Sequence, residues 1–258
     1  MKRAAGLEYE ESGAGTPIIC LHGIGGNTSS FGPQFGGLPG YRLIAVNLPG
    51  YGNSDLMDDP TFPKLAARIV DFLDACGLQA AHLCGQSIGG MIAMETACVT
   101  PDRVASLVLI GTTDAFGGRD HRFKDAFLAA RLKPLDAGET LATLAPKFVS
   151  GIAGPDISDA AYDSAVASMA AVPEATYRAI IRCLVTFNRR DDIATLTMPA
   201  CLIAGTHDTN APAKTMARMA DRMPNAEYHL VAGAGHLITL EKGAETNAIL
   251  QTFYGVLP

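Results

Sequence analysis

Short apolar runs alternate along this chain with longer stretches in which apolar residues recur every three or four positions. Residues 17–21, 41–46, 80–84, 104–110 and 200–204 form mostly apolar runs of five to seven residues. That is the length and character of strands buried on both faces of a parallel sheet. Residues 7–11 alternate weakly and predict an edge strand, and 227–231 predict a last strand. Residues 62–76 place Leu65, Ile69, Phe72, Leu73 and Cys76 on one side of a helix, with Gly77 as its stop. Met91, Ile92, Met94, Ala97 and Cys98 follow the same spacing until Thr100-Pro101, where proline ends the helix. Further helices are predicted over 213–222 and 246–256. Strands alternating with helices predict an α/β protein with a doubly wound, mostly parallel sheet.

The pattern changes between residues 115 and 192. Strand-like runs disappear, and helical periodicity returns over 122–131, 139–148, 159–171 and 174–187, separated by breaks. We read 115–192 as a helical cap and residues 1–114 with 193–258 as the core that carries it.

Composition narrows the class. With 258 residues, 48% hydrophobic and 18% charged, the chain can bury a large core. A net charge of −6 without a basic run argues against nucleic acid or an anionic membrane as partner. The six cysteines are scattered, with no C-x-x-C pair, which suits buried thiols in a reducing compartment rather than disulfides or zinc. No apolar segment follows the first charges, and no run reaches the ~18 residues of a membrane span. The expectation is a cytoplasmic protein, monomeric or homodimeric.

Candidate chemistry lies in the loops that follow the predicted strands. Gly85-Gln86-Ser87-Ile88-Gly89 stands between a strand and a helix. A serine there sits in a strained turn, its hydroxyl above the sheet, and side chains two residues away on either side would collide. Read blandly, the same residues are a Gly-rich turn with a capping serine. Asp208 follows the 200–204 run and His236 follows the 227–231 run. In a parallel sheet these strand ends share one edge, so Ser87, Asp208 and His236 can meet there as nucleophile, orienting carboxylate and base. Asp114, after the 104–110 run, is a rival for the carboxylate role. The N–H groups of Ile88 and Ile24, the latter in His22-Gly23-Ile24-Gly25-Gly26, are candidate oxyanion donors. His22 is expected to brace its loop rather than act as a base, and His207 to point away if Asp208 points in. His82, His121 and His229 read as structural.

These motifs, with Gly50-Tyr51-Gly52-Asn53-Ser54, resemble the α/β-hydrolase fold superfamily. The stretch from Ala204-Gly205-Thr206-His207-Asp208 to Gly235-His236-Leu237 and Glu241 is similar to its 3-oxoadipate enol-lactonase and meta-cleavage-product hydrolase branches. The resemblance implies a helical cap inserted after the sixth core strand, no cofactor or metal, and a small-molecule ester or lactone as substrate. It departs in carrying Asn47 where many relatives have Asp, and in lacking tryptophan. Two other readings share the scaffold. One is hydrolysis of a carbon–carbon bond in a vinylogous diketone, for which Arg178 and Arg182, on one helix face, would be substrate-binding candidates. The other is a ligand receptor with an idle triad. Arg119, Arg122, Arg131, Arg189 and Arg190 are the other cap arginines that could meet a substrate carboxylate.

Overall fold

In the computed structural model, which describes residues 1–117 and 121–257, eight strands form one sheet among the described residues. They are β1 (Lys2–Ala4), β2 (Leu7–Gly13), β3 (Thr16–Leu21), β4 (Tyr41–Val46), β5 (Ala81–Gln86), β6 (Val104–Ile110), β7 (Ala200–Gly205) and β8 (Ala226–Val231). Their order across the sheet is β1-β2-β4-β3-β5-β6-β7-β8. Only the β1–β2 and β2–β4 pairs are antiparallel, so the sheet is parallel from β4 to β8.

Each parallel strand sends alternate side chains into two separate cores. Ile19, Leu21, Ile44, Val46, Leu107 and Leu109 pack on one face with α1 (Phe62–Ala75) and α2 (Ile88–Val99). Ile18, Cys20, Leu43, Ala45, Val108 and Ile110 pack on the other with Leu250 and Phe253 of α9 (Gly243–Gly255). Coverage on both sides is why these strands read as continuous apolar runs. α2 is buried along nearly its whole length, and its sequence is correspondingly apolar all round. α1 stops where expected. Gly77 takes φ +68°, and the Leu78 N–H reaches back to the Leu73 carbonyl at 2.9 Å.

Two strand expectations need correction. Residues 7–11 are not the edge: β2 runs to Gly13, and β1 pairs outside it. β1 has only three residues and no periodicity, so the pattern could not show it; Lys2 and Arg3 fasten it through ion pairs to Glu11 and Asp55. β5 begins one residue later than expected and continues through Gly85 and Gln86, which still pair with Leu109 and Ile110. The backbone ladder does not need apolar side chains, so the strand runs up to Ser87.

Among the described residues four α-helices stand between β6 and β7: α3 (His121–Asp136), α4 (Leu141–Ser150), α5 (Asp159–Ala170) and α6 (Glu174–Leu184). The chain enters and leaves this segment side by side. Ala115 bridges Asn188, and the Phe116 N–H donates to the Phe187 carbonyl at 3.0 Å. Arg189 then clamps Glu95 of α2 with two bonds of 2.7 Å. α7 (Ala213–Ala220) and α8 (Ile238–Glu241) complete the chain. All six cysteines are free, and Cys20, Cys84, Cys183 and Cys201 are buried. Among the described residues no helix is long and apolar enough to cross a membrane.

Candidate active site

Ser87 opens the site from the end of β5. Its backbone is at φ 56° and ψ −121°, a region non-glycine residues avoid. Two bonds hold it there. Its N–H donates to the Ile110 carbonyl at 2.9 Å, and its carbonyl accepts the Thr112 hydroxyl at 2.7 Å. Ser87 precedes α2 as its cap residue, yet its side chain makes no capping bond. The hydroxyl is therefore left for another partner, unlike that of an ordinary capping serine.

The glycines flanking Ser87 leave no room for a side chain. A Cβ on Gly85 would stand 2.3 Å from the Gly89 carbonyl oxygen, and one on Gly89 would stand 2.0 Å from the Leu21 carbonyl oxygen. Backbone cannot yield as a side-chain tip can. Gly89→Ala is expected to lose about 3 kcal/mol of stability, read as a lowered denaturation midpoint; an unchanged midpoint would contradict this packing.

The imidazole of His236 reaches Ser87 from the loop after β8. Its Nε2 lies 3.0 Å from Ser87 Oγ, and its Nδ1 lies 2.8 Å from Asp208 Oδ2. The other Asp208 oxygen accepts the N–H groups of Asn210 at 2.8 Å and Ala211 at 2.9 Å. A carboxylate only accepts, so Nδ1 carries the proton and Nε2 is free to accept from the serine hydroxyl. Three residues far apart in sequence thus form one hydrogen-bonded line, with Asp208 and His236 buried. Asp114 takes no part. It pairs with Arg222 at 3.0 Å, and its carbonyl accepts the Arg189 N–H. His207 turns to the Thr206 hydroxyl, as expected.

Ile88 is the first residue of α2, so its N–H has no acceptor within the helix. Ile24 borders the cavity above Ser87, and the Tyr51 hydroxyl fixes its loop by donating to the Ile24 carbonyl at 2.8 Å. His22 braces the same loop. Nε2 accepts from the Leu48 N–H at 3.1 Å, and Nδ1 donates to the Gly23 carbonyl at 2.7 Å. Both nitrogens are engaged, which leaves no lone pair for a base.

Burial lowers the His22 pKa from 6.5 to about 4, against a smaller upward pull from the Gly23 carbonyl. The unfolded chain therefore takes up this proton first as pH falls. The stability His22 contributes is complete above pH 6.5 and drains away between 6.5 and 4, by about 3 kcal/mol. Urea midpoints across that range should fall more steeply for wild type than for His22→Gln; parallel curves would contradict this linkage.

A cavity of about 310 Å³ lies over Ser87, bordered by residues of the strand-end loops and of α3 to α6. A sequence model of the alpha/beta hydrolase fold matches residues 16–243. The chain belongs to the alpha/beta hydrolase fold family. It is 30% identical over 257 residues to "Putative carbamate hydrolase RutD" of Variovorax paradoxus, covering 96% of this chain and 95% of that one. Among solved structures, a thermophilic esterase from Thermogutta terrifontis superposes with a TM-score of 0.88 at 21% identity, covering 98% of this chain and 94% of that one. The enol-lactonase from Burkholderia xenovorans gives 0.84 at 18%, covering 96% of each chain. At such identities these two share the fold.

On this hydrolase scaffold the arginine expectations need correction. Arg178 and Arg182 do not border the cavity. Arg178 pairs with Asp136 at 2.6 Å and Glu174 at 2.7 Å, and Arg182 donates to the Arg178 carbonyl at 3.2 Å. The opposite side of α6, with Tyr177, Ile181 and Leu184, faces the cavity instead. Arg131 does border it. Arg189 is held by Glu95 and Asp192, and Arg119 lies outside the described residues.

Other residues of the site were given no role from the sequence. Gln86 donates to the His236 carbonyl at 2.9 Å. Gly111, at φ +51°, leaves the space a Cβ would occupy 3.1 Å from Asp208 Oδ2 and 3.3 Å from His236 Nδ1. Glu241 accepts the N–H groups on both sides of His236, Gly235 at 2.7 Å and Leu237 at 2.9 Å, and also that of Gly154 at 2.9 Å. The His236 N–H itself donates to the Ile152 carbonyl at 2.8 Å. Asn47, the departure from relatives, is structural: it accepts the Thr28 N–H at 3.0 Å and donates to Glu8 at 2.8 Å.

Among the described residues one cluster could concern a metal. Atoms of Cys201, Glu227 and His229 lie within 4.8 Å of one another on β7 and β8. None borders the cavity, and burial drives the Cys201 thiol pKa well up, which disfavours the thiolate a metal would need.

Proposed function

We propose that the chain hydrolyses a small carboxylic ester or (enol-)lactone through an acyl-enzyme on Ser87. The observation that carries this is the continuous line from Ser87 Oγ through His236 to Asp208, opening into the cavity. His236 Nε2 takes the hydroxyl proton as Oγ adds to the substrate carbonyl carbon. The resulting oxyanion accepts from the Ile88 and Ile24 N–H groups at the positive end of α2. As the tetrahedral species collapses, the C–O bond breaks and His236 returns its proton to the leaving oxygen. In a lactone that oxygen stays on the same molecule. Water, deprotonated by His236, then releases the acid and restores Ser87. Asp208 keeps the imidazole in the tautomer and orientation each step requires.

In this reading residues 1–114 and 193–258 carry the reacting groups, and the 115–192 cap selects the substrate. The carbon–carbon hydrolase alternative asked for a cap arginine near the breaking bond; the ion pairs of Arg178 and the position of both Arg178 and Arg182 away from the cavity remove those two candidates. The names of the compared hydrolase, esterase and enol-lactonase agree with acyl chemistry on this scaffold.

The deciding experiment incubates the protein with a fluorophosphonate probe and, separately, with 4-nitrophenyl butyrate. The expected result is a single adduct mapped by mass spectrometry to Ser87, with release of nitrophenol. An adduct elsewhere, or neither labelling nor turnover, overturns the reading.

A further inference from the structure

The Ile24 N–H sits in a loop that does little to hold itself. Three of the five residues from His22 to Gly26 are glycine, so the direction of this N–H is set from outside the loop. The far end of its own peptide group is pinned first. The Gly23 carbonyl accepts from His22 Nδ1 at 2.7 Å and from the Gly26 N–H at 3.0 Å. The peptide is trans, so the Ile24 N–H points the opposite way. The next peptide is pinned by the Tyr51 hydroxyl, which donates to the Ile24 carbonyl at 2.8 Å. With both planes fixed, φ and ψ of Ile24 are fixed too, and with them the line of its N–H.

Tyr51 is itself held firmly. It is buried, and its ring stands edge-on to that of His22 at 4.7 Å. Its turn is closed by the Tyr51 N–H on the Leu48 carbonyl and the Ser54 N–H on the Tyr51 carbonyl, each at 2.9 Å. Burial pushes the phenol pKa far up, so the hydroxyl keeps the proton it donates. The cap reaches the same turn. Thr176, buried in the first turn of α6, donates from Oγ1 to the Gly50 carbonyl at 3.0 Å. That carbonyl belongs to the peptide carrying the Tyr51 N–H. Gly50, at φ +83°, leaves the room: a Cβ there would stand 2.5 Å from Thr176 Oγ1. Neither Tyr51 nor Thr176 borders the cavity, so an effect of either on the reaction must pass through the loop.

We propose that Tyr51 is a positioning residue of the oxyanion hole, aiming the Ile24 N–H by way of the Ile24 carbonyl, and that Thr176 seats Tyr51 from the cap. This rests on the serine-hydrolase reading above. The cap then bears on the chemical step as well as on the choice of substrate. A misaimed donor loses its grip on the developing oxyanion while ground-state binding stays as it was. The loss therefore falls on kcat rather than KM.

The test measures kcat and KM on 4-nitrophenyl butyrate in wild type, Tyr51→Phe and Thr176→Val. Backbone hydrogen exchange over residues 22–27 is followed by mass spectrometry in the same proteins. Tyr51→Phe keeps the ring and removes the donated bond. It is expected to lower kcat by roughly 10- to 100-fold with KM changed by less than about two-fold. Exchange over 22–27 should quicken several-fold while that of β6 stays as it is. Thr176→Val should move both readouts in the same direction by a smaller factor. A wild-type kcat in folded Tyr51→Phe overturns the proposal. So does a fall in kcat with unchanged exchange, or a loss carried by KM alone. Wild-type kcat and exchange in Thr176→Val overturn the part given to the cap. If Tyr51→Phe does not fold, Thr176→Val decides the whole on the same terms. If wild type neither labels with fluorophosphonate nor turns over the ester, it is the hydrolase reading that fails. Exchange then judges the brace by itself: quickening in Tyr51→Phe supports it, and unchanged exchange overturns it.

Discussion

Ser87→Ala is expected to lower kcat on a short aryl ester by about 10⁴- to 10⁶-fold, with KM changed little. In the proposed reaction the hydroxyl is the attacking group, and alanine leaves its two backbone anchors, to Ile110 and Thr112, in place. Alanine at this φ and ψ suffers the same backbone strain as serine, so the turn should survive. On the proposed mechanism, what remains is stabilisation of the oxyanion by the Ile24 and Ile88 N–H groups, with water as the nucleophile. Fluorophosphonate labelling should vanish in the same protein, and an unfolding curve close to wild type would show that the loss is chemical. Retained turnover would mean the reaction proceeds without the serine, and the acyl-enzyme would have to be abandoned.

The next largest effect belongs to Asp208→Asn, expected to lower kcat by about 10⁴-fold. The substitution is nearly isosteric. One carboxamide atom can still accept from the Asn210 and Ala211 N–H groups, so the turn after β7 is preserved. The carboxamide NH₂ would then face His236 Nδ1, where Oδ2 accepts at 2.8 Å in wild type. A donor there favours the tautomer with its proton on Nε2, and such an imidazole cannot take a proton from Ser87. Steady-state kinetics on Asp208→Asn beside Asp114→Asn separates the two acids. Asp114 holds Arg222, so its substitution should lower stability and leave kcat near the wild-type value. If Asp114→Asn lost turnover and Asp208→Asn did not, the assignment of the carboxylate would be reversed.

Much of this site was legible because each reacting residue sits in a loop just beyond a strand of distinct apolar character. A parallel sheet gathers such ends on one edge, and no side-chain detail is needed to infer that Ser87, Asp208 and His236 meet. The cap was harder, because its helices present one face to the cavity and another to solvent, and the face must be inferred. Tyr177, Ile180, Ile181 and Leu184 form the apolar stripe of α6, and this stripe already put Arg178 and Arg182 on the outside. The signal for Arg131 was also present. It continues the spacing of Phe123 and Phe127 by four residues, so it shares their face of α3. Gln86 and Gly111 left no comparable trace, and Glu241 was marked only as part of the family resemblance, with no role attached. Their roles depend on contacts between segments up to 150 positions apart, and nothing local distinguishes them from any other glutamine, glycine or glutamate.

The Glu241 carboxylate grips the histidine loop and Gly154 of the cap at once, and Ile152 receives the His236 N–H directly. Roof and proton carrier are therefore fastened together on this side of the molecule. Lifting the roof here would pull the imidazole out of register with the serine, so an arriving ligand that finds the machinery assembled must come in over another stretch of the rim.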